Sequence, residues 1–157
     1  MEARLNLMGS PAAATFVKHL ASAGKVVSDS GLPTLTQELV KIRASQINGC
    51  GFCTDMHTKE ATAAGETPPR LNLIAAWREA KVFTEAERAA LELAEQGTRI
   101  ADATGGVTDE AWENAAKHYD EQQLGGLVFL ISLINAFNRA NVIVQQPAGD
   151  YRVGQFG

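Results

Sequence analysis

"LVKIRASQINGCGFCTDMHTKEATAAGE" (39–66) holds two runs of helix-forming residues separated by one break, Asn48-Gly49. Leu35, Leu39, Ile42 and Gln46 recur at helical spacing up to that break. A second run starts at the cysteines and continues to Gly65, a natural helix terminator. Nothing here alternates with period two, so the segment predicts a pair of helices rather than a hairpin. Cys50 and Cys53 are the only cysteines among 157 residues. Both stand just past the break, with His57 four positions further on. Such a pair is a redox centre, a metal site, or two thiols packed in a core.

The flanks extend the helical reading in both directions. A helix is predicted from Pro11 to about Val27, closed by "SDSGLP", and the one carrying Leu35 begins near Thr34. "TPPRLNLIAAWREA" (67–80) predicts another, because proline is tolerated in a first turn and not later. "TEAERAALELAEQGTRIADATGG" (84–106) opens on a capping box, Thr84 with Glu87. Thr108 caps "DEAWENAAKHY" (109–119), and Asp120, with Gln123 three on, caps a long apolar helix to about Val144. Trp77, Trp112 and the apolar ladder of 124–137 are expected in the core. "NAFNRAN" (135–141) places amides on that apolar helix, as an interface or an active-site wall would. The tail, 145–157, has no periodicity. The expectation is one all-α domain over residues 1–157.

Composition narrows the function. Hydrophobic content of 45% and charged content of 20% are ordinary for a globular domain, and a net charge of −4 with scattered Lys and Arg offers no basic face for nucleic acid. The run 124–137 is shorter than the roughly 18 apolar residues of a membrane span, so no membrane role is expected. Glu2, Lys18 and His19 spoil the signal-peptide likeness of the Ala-rich N-terminus, which predicts a cytoplasmic protein. In a reducing cytosol a lone cysteine pair points to catalysis or metal binding more than to a structural staple.

At ~100° per residue, Cys50, Cys53, His57, Ala61 and Ala64 fall within a stripe ~80° wide. Small Ala61 and Ala64 would let a neighbouring helix approach. Both thiols lie in the first turn, where unpaired N–H groups and the helix dipole favour thiolate. His57 can take or give a proton at neutral pH. On the preceding helix Glu38 lies about 70° from the centre of the apolar face, so partial burial with a raised pKa is expected, suiting a general acid–base. Lys41, Arg43 and Glu60 read as solvated charges, and His19 and His118 as chemically idle. Two thiolates, an imidazole and a carboxylate also make four plausible zinc ligands. Structural zinc sites, however, usually draw on two separated pairs, and only one exists here.

Glu38, eleven residues, then Cys50-x-x-Cys53-x-x-x-His57 resembles the signature of the alkylhydroperoxidase AhpD-like family, within the carboxymuconolactone decarboxylase superfamily. Residues 39–66 resemble the family's core segment, "FTEAERAALELAE" (83–95) its following helix and "INAFNRANV" (134–142) its C-terminal one, so the likeness spans about 30–145. It implies an all-α protomer of six to seven helices assembling as a homo-oligomer, either a trimer or a hexamer built as a trimer of dimers. The long helix fits that, since Leu127, Phe129, Leu130, Ile131, Leu133 and Ile134 present more apolar surface than one stripe requires.

The resemblance further implies thiol-dependent reduction of organic hydroperoxides, without flavin, haem or metal. Cys53 would be the peroxidatic thiol, Cys50 the resolving one, and Glu38 and His57 a proton relay. An external dithiol, or a lipoyl- or thioredoxin-like protein, would reopen the disulfide. Phe52 stands where better-characterised members carry a histidine, making the thiol surroundings more apolar. The decarboxylase branch works without the cysteine pair, so "CGFC" argues against that chemistry. The alternatives are a disulfide oxidoreductase or redox sensor acting on a partner's disulfide, and a non-catalytic helical oligomer holding zinc.

Overall fold

The computed structural model describes residues 2–156, and among them every regular element is helical. In chain order these are α1 (Pro11–Ser28), α2 (Thr34–Ile47), α3 (Gly51–Ala63), α4 (Pro68–Leu73), α5 (Glu85–Thr98), α6 (Asp109–Ala116) and α7 (Glu121–Val144), with one 3₁₀ turn, Ile74–Ala76, after α4. The expected caps form. Thr84, Thr108 and Asp120 each accept an N–H of the first turn, Thr84–Glu87 and Asp120–Gln123 are full capping boxes, and Ser10, which the sequence reading did not single out, caps α1 in the same way.

Helix α2 is the hub, packed by α3, α5 and α7. The single apolar face expected of it is too narrow a description, because Thr36, Gln37, Glu38, Leu39, Val40, Ile42, Ala44 and Ser45 are all buried. Elements on three sides of a helix leave it little solvent face, so polar side chains are enclosed along with apolar ones. On one side Val40 joins Leu93, Leu127 and Leu130; on another Leu39 and Ile42 meet Ala61, Ile74, Trp77 and Leu91. Each such Leu or Ile contributes about 1.5–3 kcal/mol relative to an exposed one.

Four sequence expectations change. The helix expected over 67–80 stops at Leu73. Beyond it the guanidinium of Arg88 donates to the carbonyls of Trp77, Arg78 and Ala80, holding a tight turn in place of further α-helix. Helix α5 ends at Thr98, short of Gly105 and Gly106. Trp112 is 44% exposed, because α6 is only eight residues long and rests on α5 through Ala111 and Ala115 instead. The tail, though aperiodic, is laid along α3. Tyr151 is buried and meets Phe52 edge-on, and Asp55 accepts the N–H of Gly149.

Helix α7 is longer than its apolar run. At 24 residues it could cross a bilayer by length and composition, yet here it packs against α1, α2, α3, α5 and α6. Its crossing with the α1–α2 connection depends on Gly126, where an added Cβ would lie 2.5 Å from the Ser30 Cβ. Ser30 is buried and hydrogen-bonded to the Val27 carbonyl, so it cannot step aside. Gly125, one residue earlier, has open space at the same position. Gly126→Ala is therefore expected to destabilise by about 1–3 kcal/mol through overpacking. Gly125→Ala should stabilise by up to ~1 kcal/mol through helix propensity. Urea melts of the two variants will show shifts of opposite sign.

Candidate active site

Cys50 belongs to two helices at once. Gly49 adopts φ +66°, the left-handed conformation that glycine reaches without steric cost. The Gly49 N–H then donates to the Gln46 carbonyl, and the Cys50 N–H donates to that of Ser45 at 2.9 Å. This is the Schellman closure of α2. The Cys50 side chain meanwhile caps α3, its sulfur accepting the Cys53 N–H at 3.4 Å. Both thiols are buried, 2% and 0% exposed, in a small apolar cluster with Ala44 and Ile134. Cys50 and Cys53 are free thiols.

Glu38 and His57 are brought together as a pair, with the His57 Nδ1 2.9 Å from Glu38 Oε2 and both side chains about one-tenth exposed. Lys41 donates to the other carboxylate oxygen at 2.7 Å. The raised Glu38 pKa expected from burial is not what results. Burial does push it up, but the hydrogen bond from His57 and the charge and hydrogen bond of Lys41 together hold it below the ordinary value. Glu38 is thus an ionised carboxylate, which can only accept, so the proton of this contact sits on Nδ1. Lys41 is not a solvated charge. Nor is Arg43, which donates to Glu95, nor Glu60, which accepts from the Tyr151 hydroxyl. Of the two small residues expected beneath the stripe, Ala61 is buried and Ala64 is exposed, since α3 ends there. His19 and His118 lie on the surface, away from this site.

The third wall comes from α7. Asn135, Asn138 and Asn141 recur every three residues on its inward side, all buried. Asn48, at the end of α2, donates to the side-chain oxygens of both Asn135 and Asn138 at 2.9 Å. Asn138 donates in turn to Ser45, and Asn141 donates to the Cys53 sulfur at 3.3 Å. Sequence reasoning flagged this segment as an interface or a wall without assigning a residue; the amides on an apolar helix were the available signal.

The two thiols are electrostatically unequal. The hydrogen bond from the Cys53 thiol does most to lower the Cys50 pKa, to about 7. The Cys53 N–H and the Asn138 side chain assist against the opposing effect of burial. Cys53, as the donor of that bond and a buried neighbour of the resulting charge, is pushed far up. One proton is shared, and the first negative charge settles on Cys50, at the helix terminus. The four candidate zinc ligands do not converge. Among the described residues no group of three or more His, Cys, Asp and Glu side chains is placed to hold a metal ion.

Residues 11–96, which include Glu38, Cys50, Cys53 and His57, match the model of the carboxymuconolactone decarboxylase family. The chain belongs to that family, in its AhpD-like branch. It is 41% identical over 132 residues to the uncharacterized protein YdfG of Bacillus subtilis, covering 84% of this chain and 88% of that one. A crystal structure of an Agrobacterium tumefaciens protein of unknown function, suggested to be an antioxidant defence protein AhpD, superposes with a TM-score of 0.86. It is 36% identical and covers 96% of this chain and all of that one. The debrominase Bmp8, 19% identical, shares the fold at a TM-score of 0.73 over 84% of this chain and 70% of its own. The three asparagines of α7 lie beyond the residues the family model matches.

The inequality of the thiols in this AhpD-like site can be measured. Ultraviolet thiolate absorbance of the reduced protein should show one step with a midpoint near 7. No second step should appear below the alkaline limit of folding. Two overlapping steps near the ordinary thiol range would show that neither the helix terminus nor the shared proton acts as described.

Proposed function

We propose that this protein is a thiol peroxidase that reduces organic hydroperoxides through Cys53 and Cys50, with an antioxidant role. The observation that carries the reading is the coincidence of an unequal, buried CxxC pair at a helix start with an ionised Glu38 bonded to His57 one turn deeper. Neutral His57, its proton held on Nδ1 by Glu38, takes the Cys53 proton on Nε2. The Cys53 thiolate attacks the distal oxygen of ROOH, the O–O bond breaks, and the proton returns from His57 to the departing alkoxide as ROH. Cys53 is now a sulfenic acid. Cys50, the more acidic thiol, attacks its sulfur, releasing water and forming the Cys50–Cys53 disulfide. An external dithiol, free or carried on a lipoyl- or thioredoxin-like protein, exchanges with the disulfide and restores both thiols. Glu38 fixes the His57 tautomer and stabilises the imidazolium formed in transit, as a buried carboxylate beside a catalytic histidine does. No step requires a bound metal or cofactor.

The position of Cys50 supports a second reading. A thiolate at a helix N-terminus with pKa about 7 is also the nucleophile that a dithiol oxidoreductase uses on a partner's disulfide. Cysteine variants separate the two. In the peroxidase, Cys50→Ser reacts once with cumene hydroperoxide and leaves a dimedone-trappable sulfenic acid on Cys53, Cys53→Ser does not, and neither turns over. Glu38→Gln keeps both thiols and slows turnover by about 10²–10⁴-fold. A sulfenic acid on Cys50 instead, or rapid exchange with protein disulfides without peroxide turnover, supports the oxidoreductase.

We also propose that the protomer self-associates, as a trimer or a hexamer. Of the 18 residues of α1 only Val27 is fully buried, while Phe16 and Val26 on α1, and Phe129 on α7, are more than half exposed. Exposed apolar side chains on two helices that pack together favour a second copy as cover. Sedimentation at micromolar concentration should give a mass well above the 16.8 kDa of one chain; a clean monomer removes this proposal.

A further inference from the structure

The three asparagines of α7 are not equivalent. Asn135 is saturated by structural partners: its amide nitrogen donates to the Thr98 hydroxyl and the Ile131 carbonyl, and its oxygen accepts from Asn48. Asn138, fully buried, donates to Ser45 and accepts from Asn48. Both lock α7 onto the end of α2, and the Asn138 amide also helps to lower the pKa of the two thiols, less than Asn141 does at Cys53. Asn141, 8% exposed, spends its amide N–H on the Cys53 sulfur. A buried amide aimed at a thiol gains little when the sulfur is protonated, since sulfur is a weak acceptor. It gains far more when that sulfur carries charge.

We propose that Asn141 is a catalytic residue of this site, donating a hydrogen bond to the Cys53 sulfur that stabilises and aims it as its proton leaves for His57. The proposal rests on the peroxidase reading for what the sulfur then attacks. The groups that act on Cys53 are the Cys50 thiol, which opposes its charge, and the Asn141 and Asn138 amides of α7, which favour it. His57 follows one turn on along the same helix, paired with Glu38, which also holds Lys41, and Arg139 of α7 is turned to Asn135. That division has a physical logic. Cys50 opposes charge on Cys53, both through its own negative charge and through the proton it draws. An opposing donor is needed for the second thiol to react at all. A lysine or arginine at 141 would supply it only by burying a full charge without a partner, which is strongly unfavourable. A histidine would compete with His57 for the proton. An amide does neither, because it donates strongly and does not titrate. The ladder below it, Asn138 to Ser45 and Asn135 to Thr98, keeps α7 in the register that points Asn141 at the sulfur.

The test uses the full-length reduced protein carrying Cys50→Ser, so that Cys53 titrates alone. Its thiolate pKa is read by ultraviolet absorbance, and its single reaction with cumene hydroperoxide by stopped-flow. Adding Asn141→Leu, which keeps the bulk and removes the donor, should raise the Cys53 pKa by about one unit, the size of one charge-assisted hydrogen bond. At neutral pH the single reaction should slow by about tenfold. Asn141→Asp, the same shape without a donor, should raise the pKa further and serves if the leucine variant does not fold. Asn141→Ser should recover part of the shift through its hydroxyl. Asn135→Ala is the control: it should lower the melting temperature and leave the Cys53 titration in place. A Cys53 pKa within a few tenths of a unit in Asn141→Leu and Asn141→Asp, or an equal shift in Asn135→Ala, overturns the proposal. If Cys50→Ser itself does not react with peroxide, the peroxidase reading falls, and the absorbance titration still decides whether Asn141 holds the sulfur.

Discussion

The bond from the Cys53 N–H to the Cys50 sulfur is the contact on which the site depends. It makes a cysteine the N-cap of α3, at the one residue whose own N–H is closing α2. A serine or aspartate is the usual choice for such a cap. Using sulfur there places a thiolate where the N–H groups of the first turn and the positive end of the dipole converge. It also brings the second thiol of the pair within one turn, on the same helix face as His57. The left-handed Gly49 allows the chain to reverse in one residue, so α2 and α3 emerge as an antiparallel pair with Glu38 facing His57 across the gap.

A polar site in this position is costly for a helical protein. Glu38, His57 and three asparagines lie inside the packing of α2, α3 and α7, where each unpaired polar group would lose about 1–3 kcal/mol. The structure meets that cost by giving every one of them a partner: Lys41 and His57 for Glu38, Asn48 for Asn135 and Asn138, and the Cys53 sulfur for Asn141. A buried ion pair is weak evidence of added stability, because well-packed apolar residues often do as well. The concentration of paired polar groups around two thiols is better accounted for by chemistry than by folding.

The aperiodic tail completes the surroundings. Ala148 rests on Gly51, and Tyr151, Phe52 and Phe156 form an aromatic cluster over the first turn of α3. Lys59 reaches the carbonyls of Gly149 and Tyr151, and Glu60 accepts the Gly154 N–H. Phe52, on the turn that carries the cysteines, has a structural task in this chain: it anchors the tail. The result is a pair of thiols enclosed by α7 on one side and flanked by the tail on the other.

Much of this was legible in the residues themselves. Helix identity, the caps at Thr84, Thr108 and Asp120, the break at Asn48-Gly49, and the shared stripe of Cys50, Cys53 and His57 all follow from local periodicity and local hydrogen bonding, which act within a few residues. What lies between distant segments was not legible. The charge state of Glu38 turned on Lys41 and on His57, nineteen residues away in the next helix, whose combined pull outweighs burial. The exposure of Trp112, the burial of α2 on most sides, the anchoring of an aperiodic tail through Tyr151 and the separate tasks of Asn135, Asn138 and Asn141 depend on which elements meet. Local sequence determined which atoms were available to the site. Only the packing of α2, α3 and α7 decided which were charged, which were satisfied and which reached the sulfurs, because desolvation and hydrogen bonding are set by neighbours in space and not in sequence.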